Sequence, residues 1–507
     1  MPATAAGVLV MVLALLLPAS ARGGMPDLPV QRHVLDNGLT LLILPRHHAP
    51  VFSAMILFKV GSVDEPPGAS GVAHLYEHMA FKGTRTLGAL DIDRELALLD
   101  RIDRLRAERR SLEQENAPET ADRRLRLDAE IEAVTLEAEG LAEANVLTSL
   151  YERNGAVQLN ASTSHDHTQF FVSLPNNRLP LWAALESDRI ANPVLRGFYK
   201  ERDVVLEERN SRVETNPHGM LAEVFRSAAF VAHPYGTPVI GWKSEVSHLT
   251  RAQAAAFYNS HYVPANMIIA LVGDLDPEQA LSVVRDSFGK LPAVPPPAGP
   301  ITEEPTPPGE RHVMVRWDAK PRMLIGFPLP AGGHPHDAAI SALETILANG
   351  KSGRLYRSLV VERDVASRIS VGSGNPGYRY PNLFTISAIP RLGNTPEAVE
   401  RAILEEIEKL TREPVSRIEL ETAVNQVEAG LVRSLSSNMG MARLLANMEA
   451  LTGDWGYLFR LYEEMGRLTP EKVRQVAARY FIPKRRTVAV LLPESDAATG
   501  GAVGEGP

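Results

Sequence analysis

The 507-residue chain contains no cysteine. This excludes a disulfide framework, a thiolate nucleophile and any sulfur ligand, so a metal would have only His, Asp and Glu to sit on. A strong charge of one sign is also missing, since 53 Lys and Arg face 61 Asp and Glu, a formal net charge of -8. A mildly acidic chain gives no electrostatic case for nucleic acid or an anionic membrane surface. Long apolar runs are scarce, and past the N-terminus no segment resembles a transmembrane helix.

The N-terminus itself reads "MPATAAGVLVMVLALLLPASARGG", an apolar run from Gly7 to Leu17, then Pro18 and the small-residue pattern Ala19-Ser20-Ala21. The run is too short to cross a bilayer and ends at a processing-like site. Residues 1–21 are therefore expected to be a secretory signal, leaving an exported, periplasmic or secreted chain with no integral membrane segment. No Lys or Arg precedes the apolar run, so an uncleaved anchor or a buried helix is the competing reading.

A chain of this length, 44% hydrophobic, exceeds one ordinary core and points to two or more domains. Residues 292–310, "PAVPPPAGPITEEPTPPGE", form a linker whose prolines forbid helix and favour an extended tether. The linker separates a first domain, 28–291, from a second, 311–495, with a flexible tail at 496–507. The two ends echo each other. In "LTRAQAAAFYNSHYVPANMIIALVGDLD" and "LTPEKVRQVAARYFIPKRRTVAVLLPES" a Thr N-cap opens a helix, a proline closes it and an apolar strand follows. Internal duplication is expected.

Between 98 and 150 the composition changes. Leu98, Ile102, Leu105 and Leu112 step at helical spacing, as do Leu127, Ile131, Val134, Ala138 and Leu141, with a proline-bearing break at Asn116 to Glu119. Two amphipathic helices folded back as a hairpin are expected, read as a solvated projection rather than a partner-docking arm.

The chemistry-bearing stretch is "GVAHLYEHMAFKGT". On a helix, His74 and His78 are four apart and share a face, with Glu77 beside His78. A zinc hydrolase needs three protein ligands, an open position for water, and a carboxylate to take the water's proton. His74 and His78 supply two ligands and Glu77 the base, in the H-x-x-E-H order of inverted zinc motifs. The third ligand is expected on another helix, within "FYKERDVVLEERNSRVETNP". There Glu201 and Glu208 are seven apart on one face, but periodicity alone does not choose among Glu201, Glu207 and Glu208.

"HLYEHMAFKGT", followed by "LNASTSHDHTQFFVSLP", "ESDRIANPVLRGFYKERDVVLEERN" and "HPYGTPVIGWKSEVSHLT", resembles the pitrilysin family of inverted-motif zinc metallopeptidases. In particular it resembles the half-length bacterial members similar to the mitochondrial processing peptidase. In that family E-R-x-x-V-x-x-E supplies the last ligand as its second Glu. The resemblance therefore implies Glu208 as ligand, Glu201 as supporting carboxylate and one Zn2+ per chain. The 129 residues between His78 and Glu208 exceed the family's usual spacing by about the length of the charged segment. A helical hairpin that enters and leaves at neighbouring points would leave the ligands in place.

The resemblance further implies an α+β fold, two pseudo-symmetric domains, each an antiparallel sheet packed with helices. Peptide or unfolded polypeptide substrate is expected to add as a strand along "LNASTSHDHTQFFVSL", with Asn160 and Ala161 as contacts. His165 and His167 read as packing rather than a second metal site, His233 as part of a turn, and Arg354 and Tyr356 in "GKSGRLYRSL" as chamber lining. A homodimer, or a heterodimer with a metal-free homologous subunit, is implied. The expected activity is endopeptidase. The rival is a noncatalytic scaffold of the same fold, in which ligands or base would typically be lost.

Overall fold

The computed structural model describes residues 28–115, 118–348 and 350–494. The expected signal at 1–21 and tail at 496–507 lie outside the described residues. Two sheets organise the chain. The first contains β1 (Gln31–Val34), β2 (Thr40–Pro45), β3 (Val51–Phe58), β4 (Val157–Thr163), β5 (Thr168–Pro175) and β6 (Met267–Gly273) in the order β1-β2-β6-β3-β5-β4. The second contains β7 (Arg311–Arg316), β8 (Arg322–Leu329), β9 (Ala366–Asn375), β10 (Asn382–Pro390) and β11 (Thr487–Leu492) in the order β7-β11-β8-β10-β9. Strand for strand, β7, β11, β8, β10 and β9 repeat the places of β2, β6, β3, β5 and β4, which is the duplication expected from the echoing ends. Residues 292–307 between the sheets carry no helix or strand.

The sheets are mixed rather than purely antiparallel. β2 runs parallel to β6 and β7 parallel to β11, while the other pairs are antiparallel. The last strand of each half returns after a long helical excursion and slots between two earlier strands that run in opposite directions. One of its neighbours must then be parallel. The entry to that strand is set by the repeated signals. Thr250 forms a capping box with Gln253, Thr469 accepts from the Lys472 backbone N–H, and Pro264 and Pro483 open the short turns that feed β6 and β11.

Seven helices matter for the site and its setting: α1 (Val72–Met79), α2 (Ile92–Glu115), α3 (Ala121–Glu139), α4 (Phe198–Arg209), α5 (Pro217–Ala229), α6 (Asp337–Ala348) and α7 (Asn438–Thr452). Every residue of β6, MIIALVG, is buried, because apolar layers cover both faces of the first sheet. Helices of the first half cover one face. The other is covered from the second half, where Met441, Ala442, Leu445 and Ala446 of α7 pack on Leu42, Leu44, Met55, Leu57 and Ile268. The exchange is reciprocal, since Leu221 and Phe225 of α5 pack with Val315, Leu383, Ala489 and Leu491 of the second sheet. α6, which stands where α1 stands in the first half, carries no histidine.

The expected hairpin is present as α2 and α3, starting six residues earlier than Leu98 and closing at Glu139. It is not a free projection. Leu98, Ile102, Leu105, Leu127, Ile131, Val134 and Ala138 belong to the main core, and Asp103 binds the Tyr199 hydroxyl and Arg251. Its apolar seam is wide enough to bind the protein body as well as its partner helix.

The segment 159–174, read as one edge, makes two strands. Thr163 pairs with Thr168 around a turn, and His165 and His167 lie in that turn. At its tip Asp166 accepts hydrogen bonds from the Tyr235 hydroxyl and from the backbone N–H groups of Tyr378 (2.6 Å) and Arg379 (3.1 Å) of the second half. Arg379 in turn bonds Asp64 at 3.0 Å. Replacing Asp166 by Ala leaves these donors unpaired, at a cost of roughly 2–4 kcal/mol. A lower urea midpoint for D166A is expected, and an unchanged midpoint would mean that the Asp166 contacts do not help to hold the two halves together.

Candidate metal centre

An eight-residue helix is marginal alone, and α1 is held by groups outside it. Its start has no side-chain cap. Instead the half-buried Glu65 carboxylate accepts from the backbone N–H of Gly71 and Ala73, both at 2.9 Å, and Glu245 accepts from that of Ser70 at 2.8 Å. Gly71 has φ +85°, and a Cβ there would meet the Ile240 carbonyl oxygen at 2.8 Å, so the entry to α1 requires glycine. Tyr76 on the opposite side stacks on Tyr258 and packs against Tyr262. The helix can therefore turn His74 and His78 only one way.

α4 is anchored as firmly. Val205 is fully buried, and the buried Arg209 guanidinium bonds both carboxylate oxygens of Glu223 on α5, at 2.8 and 2.9 Å. This aims Glu208 at α1. Its Oε2 lies 3.7 Å from His74 Nε2 and 3.5 Å from His78 Nε2, and the three residues offer ligand atoms all within 4.8 Å of one another. Tetrahedral zinc with N and O ligands at about 2.0–2.2 Å separates its donors by roughly 3.3–3.6 Å. These donor spacings fit such an ion.

Protonation fits too. Burial, with smaller contributions from His78 and Arg212, lowers the His74 pKa to about 3, so its imidazole is a neutral donor. His78 is pushed up instead, chiefly by the Glu201 carboxylate, whose Oε2 lies 3.5 Å from His78 Nδ1. Glu201 is itself held low by His78 and by Lys82, with which it is paired. A carboxylate behind Nδ1 favours the tautomer that leaves Nε2 free to ligate. Arg212 holds the other oxygen of Glu208, Oε1, at 2.6 Å, leaving Oε2 to the histidines. Glu207 points away, exposed, and accepts from Asn210. Of the three glutamates that periodicity left open, packing thus groups Glu208 with both histidines and sets Glu201 behind His78.

Glu77 is half-buried beside these residues, and Thr163 of the edge strand β4 donates to its Oε2 at 2.6 Å. Burial pushes the Glu77 carboxyl up, against the opposing hydrogen bond from Thr163. Of the expected substrate contacts, Asn160 lies opposite Phe171 and Ala161 opposite Phe170 on β4, so the two face opposite sides of the sheet. His165 bonds the Thr237 carbonyl at 3.1 Å and His233 caps a turn, in keeping with structural roles. Arg354 is paired with Glu419. Thr163, Lys82 and Arg212 were not singled out from sequence. Lys82 lies four residues past His78 and Thr163 alternates with Ala161, which are the signals that could have found them.

Two helices presenting two imidazoles, a carboxylate and an adjacent protonatable carboxyl define the donor set of a zinc-dependent hydrolase. The comparisons place the chain within one family of them. Residues 42–101 and 120–243 match the model for Insulinase (Peptidase family M16), and residues 248–427 match that for the Peptidase M16 inactive domain. The chain belongs to this peptidase family, the one that the sequence resembles. It is 27% identical over 469 residues to a zinc protease, PqqE, of Helicobacter pylori, covering 90% of this chain and 92% of that one. A zinc protease of Mycobacterium tuberculosis is 28% identical over 480 residues, covering 91% and 93%. The crystal structure of a protease from Helicobacter pylori superposes with a TM-score of 0.76 at 25% identity, covering 92% of this chain and 100% of that one. The periplasmic protease PqqL from Escherichia coli shares the fold at a TM-score of 0.69 and 19% identity, and this chain covers 49% of it. The family match skips residues 102–119, the far end of the α2–α3 hairpin.

Zinc binding should follow the protonation of one histidine. The His78 proton competes with the metal from above pH 6.5, whereas His74 stays unprotonated down to about 3. The zinc dissociation constant should therefore rise about tenfold per pH unit on acidification, not a hundredfold. In Glu201→Gln the rise should begin at lower pH, and affinity at pH 8 should fall about 10- to 100-fold. Chelator competition across pH measures both, and a two-proton slope would contradict the assignment.

Proposed function

We propose that this protein is a zinc-dependent endopeptidase acting on peptides or unfolded protein segments, with one zinc held by His74, His78 and Glu208. The observation that carries the reading is the convergence of these three donors at zinc spacing beside a half-buried, protonatable Glu77. A zinc ion held by these three residues would acidify water and polarise a carbonyl. Glu77 accepts the proton of the attacking water and delivers it to the leaving amine, a role suited by a carboxyl pKa pushed up by burial. Thr163 fixes one oxygen of Glu77, so that Oε1 is the one presented to water. Glu201, Lys82 and Arg212 hold the ligands in place.

β4 lies at the edge of the first sheet, with no strand on its other side among the described residues, and a substrate strand added there would run past Thr163 and Glu77. The second half lacks histidine on α6 and matches the inactive-domain model, which supports a structural or substrate-enclosing role for it. The chain covers about half of the periplasmic protease PqqL. That proportion supports a second subunit, a copy of this chain or a metal-free homologue, completing the enclosure. Among the described residues no helix is long and apolar enough to cross a membrane. This accords with export behind the expected signal. The noncatalytic alternative is weakened by the retention of all three ligands and the base.

In Glu77→Gln, zinc content should be unchanged and peptide hydrolysis should fall by about 10³-fold. Full activity in that variant would remove Glu77 from the mechanism. Thr163→Val should lower kcat about tenfold with little change in KM, and Thr163→Ser should restore it. A Ser variant as impaired as Val would show that packing, not the hydroxyl, matters at this position.

A further inference from the structure

The edge strand β4 divides its side chains between two environments. Ala161 and Thr163 pair with Phe170 and Thr168 and face α1, where Thr163 meets Glu77. Asn160 and Ser162 pair with Phe171 and Gln169 and face the other side of the sheet, the side covered by α7. On that side lies an open pocket of about 430 Å³, lined by Gln158, Asn160, Phe171, Ser437, Gly440 and Arg443 among others. No carboxylate lines it. Its single charge is the exposed Arg443, whose guanidinium sits 4.9 Å over the Phe171 ring and makes no ion pair among the described residues. The amide oxygen of Asn160 is taken by the Ala161 N–H at 2.8 Å, and that of Gln158 by the Ser173 hydroxyl at 3.2 Å. Among the described residues the NH2 groups of both amides have no hydrogen-bond partner, which leaves them for a ligand.

Successive side chains of any strand laid along β4 must alternate between the two faces. If one reaches the metal centre, its neighbours turn towards α7. Asn160 is three residues from Thr163, roughly 10 Å along the strand. We infer that this pocket is a substrate subsite for an acidic side chain, Asp or Glu, lying a few residues from the scissile bond, with Arg443 as the residue that selects it. The inference rests on the peptidase reading and on β4 as the peptide edge. An aliphatic side chain would fill the space but leave these donors unpaired, and a basic one would meet Arg443 as a like charge.

Binding tests the subsite separately from hydrolysis. Fluorescent peptides carrying Glu, Gln or Lys at each position in turn are titrated by anisotropy into zinc-loaded Glu77→Gln chain, and into the same chain with Arg443→Glu or Arg443→Gln. At one position Glu should bind roughly five- to tenfold more tightly than Lys. R443E should invert that preference and R443Q should abolish it, at that position alone, with zinc content unchanged. Equal binding of Glu and Lys at every position, or a preference that survives R443E, would overturn the subsite. If the preference is found but the wild-type chain does not cleave the preferred peptides, the subsite stands and the peptidase reading fails.

Discussion

Glu208 has to place one carboxylate oxygen within reach of two imidazoles carried on a different helix, and most of the first half can be understood as meeting that requirement. α1 is too short to hold its own orientation, so the Glu65 and Glu245 carboxylates fix its start and the Tyr76, Tyr258 and Tyr262 cluster fixes its back. α4 is fixed by Val205 in the core and by the Arg209–Glu223 pair. Either helix turned by one residue would carry its ligands about 100° away. Desolvation pushes the Glu65 carboxyl well up, and the two backbone donors at the start of the helix act in the opposite direction.

The same arrangement prepares the donors chemically. Burial keeps His74 neutral, while Glu201 sets the hydrogen on the far nitrogen of His78. The two imidazoles thus reach the metal-ready state by different routes, one by desolvation and one by a charged neighbour. Glu77, between them in sequence, is steered by a third element, the edge strand β4. That strand joins through its turn to Asp166, which binds the backbone of the second half. The contact to Glu77 and the contact between the halves therefore lie on one short stretch of chain.

The two-layer exchange explains why neither half is self-contained. Each sheet has one face covered by its own helices and the other by a helix from the opposite half, α7 on the first and α5 on the second. Sequence showed the duplication through its capping and proline signals, which are local. It could not show the exchange, because the partners of α5 and α7 are distant in the chain. The parallel pairs were missed for the same reason: strand order depends on where a long helical excursion returns. His74, Glu77 and His78 were legible from spacing on one helix. Glu208 required the family likeness, since Glu201 and Glu208 are equivalent by periodicity and only the packing of α4 on α1 groups Glu208 with both histidines and puts Glu201 behind His78. Arg212 acts through a single contact that no pattern of residue types announces.

The most direct test is zinc K-edge absorption on the zinc-loaded full chain, with metal stoichiometry measured on the same sample and on Glu208→Gln. One zinc per chain is expected in a site of two imidazole nitrogens completed by oxygen donors, with the oxygen shell altered and affinity sharply reduced in E208Q. Zinc that binds equally well in E208Q, or a first shell lacking two imidazoles, would contradict that expectation.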